Sequence, residues 1–288
     1  MSLPSSALSP SGRLLKTLRE MPIFTLLSFV IILIMLVAGF GAPIFAPYSF
    51  ESQDVSNIFA TPSWDHWFGT DALGRDVFSR LLYGCRLSMT IALITALSSV
   101  AIGIVVGTIS GFVGGWVDKL IMRSIEIVYT LPSLIIMILV MMIVGRNVGG
   151  VIIALTLTGW LGTARLMRAQ VLSWKNRPFV EAARALGMPP LRLVFKHILP
   201  NCIGPIIVEL SYQMPTNILA EAFLSFIGIG IAPPTPSWGV MAEEGYRALQ
   251  SYPHLTLFPA FFISATMMAF TFIGDYLRDR LDPMLRGR

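Results

Sequence analysis

The residues able to carry chemistry in this sequence are few, and none stands in a pattern typical of an enzyme. His66, His197 and His254 are scattered, with no Ser/His/Asp arrangement and no H-E-x-x-H sequence around them. No lysine follows a glycine, so the chain lacks the G-x-x-x-x-G-K-[ST] loop that cradles nucleotide phosphates. Cys85 and Cys202 have no spaced partners for a metal site. We therefore expect no catalysis, cofactor or metal in this chain, and any energy must come from elsewhere.

A row of polar side chains interrupts one of the apolar stretches. Glu209, Gln213, Asn217 and Glu221 each follow the previous one by four residues. Such a row stays within about a third of the circumference of a helix with 3.6 residues per turn. Ionisable groups inside a membrane usually face the bundle interior or a watery cavity, because exposure to lipid is costly. The row predicts residues that line or support a translocation path, and interhelical hydrogen bonding is the equal alternative.

The composition indicates that these groups lie on the helices of a membrane protein. The chain has 288 residues, of which 55% are hydrophobic and 13% charged, and its mean hydropathy is +0.72. Soluble domains usually carry about 25% charge. The net charge of +5 is explained by basic residues collecting on the cytoplasmic side of a membrane protein. We therefore predict an integral membrane protein with no nucleic-acid partner.

Six apolar stretches have the length of membrane-spanning helices, which need roughly 20 residues each. They are 23–45, 88–112, 124–144, 149–166, 203–229 and 255–275. With the N-terminus inside, sixteen of the 21 lysines and arginines fall on cytoplasmic segments and five on outer segments. The sequence thus predicts an all-α membrane protein with six transmembrane helices and both termini cytoplasmic. The predicted divisions are a cytoplasmic segment 1–22, a first helix 23–45, an outer loop 46–87, a transmembrane core 88–276 and a cytoplasmic tail 277–288.

The second stretch carries a stripe of glycines at Gly103, Gly107 and Gly111. Small residues spaced by four let helix backbones approach closely in lipid, where packing drives association. The stripe predicts a helix-packing surface.

The cytoplasmic loop 176–200 has the pattern of two short helices. Pro178 suits the first turn of a helix and Glu181 complements the positive end of its dipole. Gly187 fits a left-handed C-terminal cap before a proline pair and a second short apolar helix. The first helix has one apolar face, formed by Phe179, Ala182, Ala183 and Leu186. These features indicate either a rigid projection for a partner or an amphipathic segment on the membrane surface.

Four segments carry a resemblance to a known family. Glu181-Ala182-Ala183, with Gly187 four residues later and Leu199-Pro200 closing the loop, resembles the EAA loop of ABC importer permeases. The run from His197 to Asn201 resembles the version in the peptide and nickel branch. Segments 68–84, 224–239 and 274–283 resemble the corresponding parts of OppC/DppC-type permeases. The resemblance implies the type I importer permease (MetI-like) fold.

The same resemblance implies a site and a set of partners. In this family the loop docks on a separate ATP-hydrolysing subunit, so the coupling residues would be Glu181, Ala182, Ala183, Gly187, His197 and Pro200. The implied partners are a second, homologous permease, two ATPase subunits that bind ATP and Mg, and an extracytoplasmic substrate-binding protein. A bacterial or archaeal cytoplasmic membrane and a peptide substrate follow, with nickel or another small solute as alternatives.

Two other classes of protein are alternatives to this one. A secondary transporter could use Glu126, Glu209 or Glu221 as proton carriers, but the internal repeats often found in such transporters are not evident. A membrane-embedded enzyme would need a catalytic cluster, and the scattered histidines do not provide one. A lone histidine such as His197 is more often a local hydrogen-bonding residue than a ligand.

Overall fold

The computed structural model describes residues 21–281, and within that range it is built of helices joined by turns and loops, without a β-strand. The predicted segment 1–22 and the tail 277–288 lie largely outside the described residues. The helices are α1 Ile23–Phe40, α2 Ala42–Phe45, α3 Val77–Val113, α4 Gly115–Thr130, α5 Ser133–Val144, α6 Val148–Lys175, α7 Pro178–Ala185, α8 Pro190–Leu193, α9 Leu199–Phe226, α10 Trp238–Tyr246 and α11 His254–Leu281. A π-helical turn, Val194–Ile198, joins α8 to α9.

Five of these helical segments are long and apolar enough to cross a membrane, and the bent pair of α4 and α5 raises the number to six if the pair counts as one span. The predicted all-α membrane architecture is therefore confirmed. The second short helix predicted in loop 176–200 is not separate, because a continuous helical run extends from Pro190 to Phe226.

The third predicted span, 124–144, is broken rather than merely kinked. Helices α4 and α5 meet at 88°. Leu131 is extended there, with φ −86° and ψ 135°, because the ring of a following proline disfavours helical backbone in the residue before it. Pro132 also cannot donate a backbone hydrogen bond, so the chain turns at this point.

The fourth span is longer than the predicted 149–166, since α6 runs from Val148 to Lys175. Two arginines near its predicted end are accommodated within the helix. The guanidinium of Arg165 lies over the ring of Tyr129, 3.8 Å from its centre. Arg168 forms two short hydrogen bonds with Asp118, at 2.5 and 2.6 Å. Partners on α4 therefore explain why charge does not end this helix.

Helix α3 begins at Val77, well before the predicted span start at 88. Its N-cap is Asp76, whose carboxylate accepts a hydrogen bond of 2.7 Å from the Ser79 backbone N–H. The first turns of α3 thus belong to the segment predicted as outer loop. At 1.5 Å per residue its 37 residues span about 55 Å, which exceeds a hydrocarbon core of about 30 Å.

The core at the α10 end of the molecule is organised around Trp238, which is fully buried. Its indole N–H donates to the Leu81 carbonyl at 3.2 Å, so α10 is fastened to the start of α3. The apolar neighbours of this tryptophan come from several helices and include Val77, Met89, Met214 and Ile218. This packing makes the outer loop, α3 and α9 one continuous unit.

Candidate functional site

The predicted coupling loop, residues 176–200, contains a helix that ends as the sequence predicts. Gly187 has φ +78°, a left-handed conformation that glycine adopts without strain. The Met188 N–H donates to the Ala183 carbonyl at 3.2 Å, and the Gly187 N–H donates to the Arg184 carbonyl at 3.0 Å. This pair of bonds is a Schellman motif. It turns the chain sharply from α7 into α8.

A small apolar cluster holds the coupling loop together. Val180, Ala183 and Leu193 are buried, and Met188 packs against them. Of the predicted apolar face of α7, only Ala183 belongs to this cluster, and Ala182 is exposed. The neighbouring Glu181 is exposed as well. Two short segments thus share one interior, which fixes the angle between them.

The other apolar side chains of the loop point away from this cluster. Leu186 is 89% exposed, Leu191 73% and Phe195 68%, with Phe179 half exposed beside them. We refer to these four exposed residues together as the exposed apolar surface of the coupling loop. Groups of large exposed apolar side chains commonly mark protein interaction sites.

The remaining predicted coupling residues are His197, within the π-helical turn, and Pro200, just after it. His197 is half-buried, with its ring 6.2 Å from that of Phe179, and its Nε2 has no hydrogen-bond partner within the described chain. Its carbonyl accepts a hydrogen bond of 2.7 Å from the Asn201 side chain. Pro200 is exposed in the first turn of α9. The structure therefore brings both residues to the same end of the molecule as Gly187.

The polar row on α9 lies against two neighbouring helices. At the N-terminal end of the row, Glu209 accepts a hydrogen bond of 3.2 Å from the Gln213 side chain. Gln213 also donates to the Thr163 hydroxyl of α6 at 2.7 Å, and that hydroxyl is 3.3 Å from Glu209. Asn217 donates to the Ala92 carbonyl of α3 at 3.3 Å. These contacts support interhelical bonding, with Glu209 the most accessible member of the row.

Glu221, at the C-terminal end of the row, is buried. Its carboxylate accepts hydrogen bonds from the hydroxyls of Ser88 on α3, at 3.1 Å, and Ser225 on α9, at 2.9 Å. The Ser88 hydroxyl in turn accepts from the Trp238 backbone N–H at 3.4 Å. A carboxylate bonded in this way ties α3, α9 and α10 at one point.

The role of the row in translocation stays a prediction, and Glu209 is the position that tests it. We expect Glu209→Gln to lower substrate uptake about tenfold with assembly unchanged, since a hydrogen bond to a charged group contributes about 1.5–3 kcal/mol. The measurement is uptake into proteoliposomes, with Gln213→Leu as the second position and Thr216→Val, on the exposed face of the same helix, as control. Unchanged uptake in both row variants would exclude the pathway role.

The glycine stripe of α3 faces α6. A Cβ added at Gly103 would lie 2.5 Å from the Thr163 Cβ, and one at Gly111 would lie 2.9 Å from the Val171 Cβ. At Gly107 it would lie 2.7 Å from the Met167 Cβ. Real side-chain carbons do not approach this closely, so the backbone of α3 at these glycines packs directly against side chains of α6. These distances support the predicted packing role.

A charged cluster near the start of α3 was not predicted from the sequence. Asp71 accepts a hydrogen bond of 2.7 Å from the Nε of Arg75 and another from Arg80. Glu244 of α10 pairs with the same two arginines, at 3.1 and 2.8 Å. The sequence showed Asp71 and Arg75 close together, but Glu244 is distant in sequence and nothing local links it to them. The cluster joins the outer loop to α10.

Residues 103–287, more than half of the chain, match the family described as the inner membrane component of binding-protein-dependent transport systems. The chain therefore belongs to this family of membrane-spanning transport subunits, as the motif resemblance predicted.

Individual relatives are similar over most of their length. The chain is 46% identical to the oligopeptide transport system permease protein OppC of Bacillus subtilis over 257 residues, covering 89% of this chain and 84% of the relative. It is 46% identical to the dipeptide permease protein DppC of the same organism over 259 residues, covering 90% and 81%. It is 40% identical to the glutathione permease protein GsiD of Escherichia coli over 258 residues, covering 89% and 85%.

Solved structures share the fold. A chain of the inward-facing MetNI methionine ABC transporter superposes with a TM-score of 0.56 at 17% identity, covering 70% of this chain and 96% of that one. An amino acid ABC transporter chain gives a TM-score of 0.53 at 18% identity, covering 71% and 93%. The predicted type I importer permease (MetI-like) fold is thereby confirmed.

Proposed function

We propose that this chain is a permease subunit of an ATP-driven ABC importer of peptides and that it receives the energy of ATP hydrolysis through the coupling loop. The observation that carries the proposal is the exposed apolar surface of that loop. Phe179, Leu186, Leu191 and Phe195 are held outward on a scaffold fixed by the buried cluster and the Gly187 turn. Such a surface fits a groove on another protein, and an ATP-hydrolysing subunit is the partner that an importer of this family requires.

The peptide substrate is supported by the relatives. Their names assign oligopeptides, dipeptides and glutathione, all of which contain peptide bonds, to proteins 40–46% identical to this chain. Nickel and other small solutes are the alternatives that an uptake assay separates. The proposed assembly contains a second homologous permease, two ATPase subunits and an extracytoplasmic binding protein. The distribution of basic residues supports a cytoplasmic position for both termini.

The two ends of the molecule then have separate roles. The coupling loop faces the ATPase, and the loops 46–87 and 230–254 face the binding protein on the outer side. Helix α9 continues directly from the coupling loop and carries the polar row, so it connects the energy source to the proposed path.

Replacing the turn glycine tests the coupling directly. Gly187→Pro is expected to abolish both peptide uptake and substrate-stimulated ATP hydrolysis, because proline holds φ near −65° and Gly187 has φ +78°. Glu181→Lys is expected to have the same effect by reversing an exposed charge beside the docking surface. The measurement uses the complete complex with its binding protein, in proteoliposomes loaded with ATP.

Matched variants make the test specific. Gly187→Asn introduces a residue that tolerates left-handed backbone, so this variant should retain most activity. Glu126→Lys should also retain most activity, because the Glu126 side chain is exposed on α4. Insertion and subunit assembly should be normal in all four variants. Full coupling in Gly187→Pro or in Glu181→Lys would reject the docking assignment.

A further inference from the structure

A cavity of about 540 Å³ lies beside the charged cluster, between the outer loop, the start of α3 and α10. Three carboxylates line it, Asp71, Glu243 and Glu244. All three already have cationic partners. Asp71 and Glu244 pair with Arg75 and Arg80, as described above, and the other carboxylate pairs with Arg247 at 2.6 Å.

A fourth arginine lines the same cavity without a carboxylate. Arg146, in the turn before α6, has no acidic side chain within 4.0 Å among residues 21–281. Its backbone is held in place, since its carbonyl accepts a hydrogen bond of 3.1 Å from the Ala232 N–H. Four cations and three anions therefore leave one positive charge in excess at the cavity.

The buried wall of the cavity also lacks acceptors. Arg80 is only 1% exposed, yet its Nε and Nη2 have no hydrogen-bond partner in the described part of the chain. Buried polar groups without partners are rare in native proteins and call for an explanation. Both nitrogens are enclosed in the wall, so they add positive charge behind the cavity without reaching its space. A carboxylate, with two acceptor oxygens, is the kind of group that a guanidinium such as that of Arg146 binds best.

We propose that this cavity receives the free α-carboxylate of a peptide, with Arg146 as the contact residue and the buried Arg80 supplying positive charge behind it. The inference rests on the proposed function and adds to it a site in this chain that senses the substrate. The size of the cavity favours a peptide over a protein segment, since small-molecule pockets occupy about 300–1,000 Å³. The carboxylate distinguishes a free peptide from one whose C-terminus is blocked.

Thiol protection in the complete complex, without binding protein, tests the site. Ala248 is half-buried and lines the cavity, so Ala248→Cys places a thiol inside it, while both native cysteines are buried. We expect trialanine to slow maleimide labelling of the introduced thiol about tenfold at ten times its Kd, as simple occupancy predicts. Trialanine amide should give no protection. Gln53→Cys, which is exposed in the outer loop and does not line this cavity, should label at one rate throughout.

Charge removal then identifies the contact. Arg146→Gln should abolish protection, whereas Arg86→Gln should preserve it, because Arg86 is exposed in the same predicted outer region but does not line this cavity. Equal protection by the acid and the amide, no protection by either, or unchanged protection in Arg146→Gln would each overturn the proposal. Protection given only by the binding protein would assign the cavity to that protein and would also overturn it.

The same preparations separate this inference from the proposed function. Peptide uptake by the wild-type complex with its binding protein, in the absence of thiol protection, would reject the cavity site alone. A wild-type complex that takes up no peptide would reject the proposed function itself.

Discussion

Gly107→Ala should lower the stability of the subunit by about 1–3 kcal/mol, the usual cost of overpacking a tight interface. The added methyl group would lie 2.7 Å from the Met167 Cβ and closer still to the Ala164 carbonyl oxygen. A backbone oxygen cannot turn aside as a flexible side chain can, so α3 and α6 would have to separate. The intrinsic preference of helices for alanine over glycine, about 1 kcal/mol, opposes this cost and sets the lower end of the range.

The measurement is the thermal unfolding midpoint of the purified complex, together with the fraction of subunit that assembles. Gly204→Ala is the matched control, because it adds the same methyl group to α9, where the nearest atom would be the Leu281 Cβ at 3.6 Å. That variant should match or slightly exceed the wild type. Equal midpoints for the two variants would contradict the close approach of α3 and α6.

Asp71→Asn should destabilise the protein by about 3–5 kcal/mol, the range measured when one partner of a buried ion pair is removed. The variant retains an oxygen for the backbone N–H groups of Leu73 and Arg75, which bond to Asp71 Oδ1 at 2.8 and 3.0 Å. Its amide nitrogen, however, would face the guanidinium groups whose hydrogen bonds Asp71 Oδ2 now accepts. Two buried arginines would then share Glu244 alone.

An exposed pair in the same protein provides the comparison. Glu126 lies 3.4 Å from Arg123, and the two side chains are 60% and 76% exposed. Glu126→Gln should change stability by at most about 1 kcal/mol, because exposed ion pairs contribute little. Both variants remove one negative charge, so unfolding midpoints that fall equally would show that the buried cluster contributes no more than a surface pair.

The features that the sequence predicted well are local ones. Pro178, Glu181 and Gly187 each act within one turn of chain, so the helix of the coupling loop and its left-handed cap follow from their order alone. The glycine stripe on α3 is equally local, because a spacing of four defines one helix face whatever the partner is. The partner itself, α6, could not be predicted from that spacing.

The features that escaped prediction depend on contacts between distant segments. Arg165 and Arg168 lie near the predicted end of a span, and only Tyr129 and Asp118 on α4 show why the helix continues past them. Val180 rather than Phe179 lies inside the coupling loop, because Leu193 in the next segment sets which side is covered. Glu244 completes the cluster at Asp71 from another part of the chain, and no local pattern connects the two.

The run from Pro190 to Phe226 has a mechanical consequence. Its 37 residues make a lever about 55 Å long at 1.5 Å per residue. One end of this helical run belongs to the coupling loop, and Gln213, Asn217 and Glu221 lie further along it. In the proposed coupling, a push at the loop would strain the side-chain hydrogen bonds to α6 and α3 or move those helices with it. The same hydrogen bonds would then resist the start of each transport step.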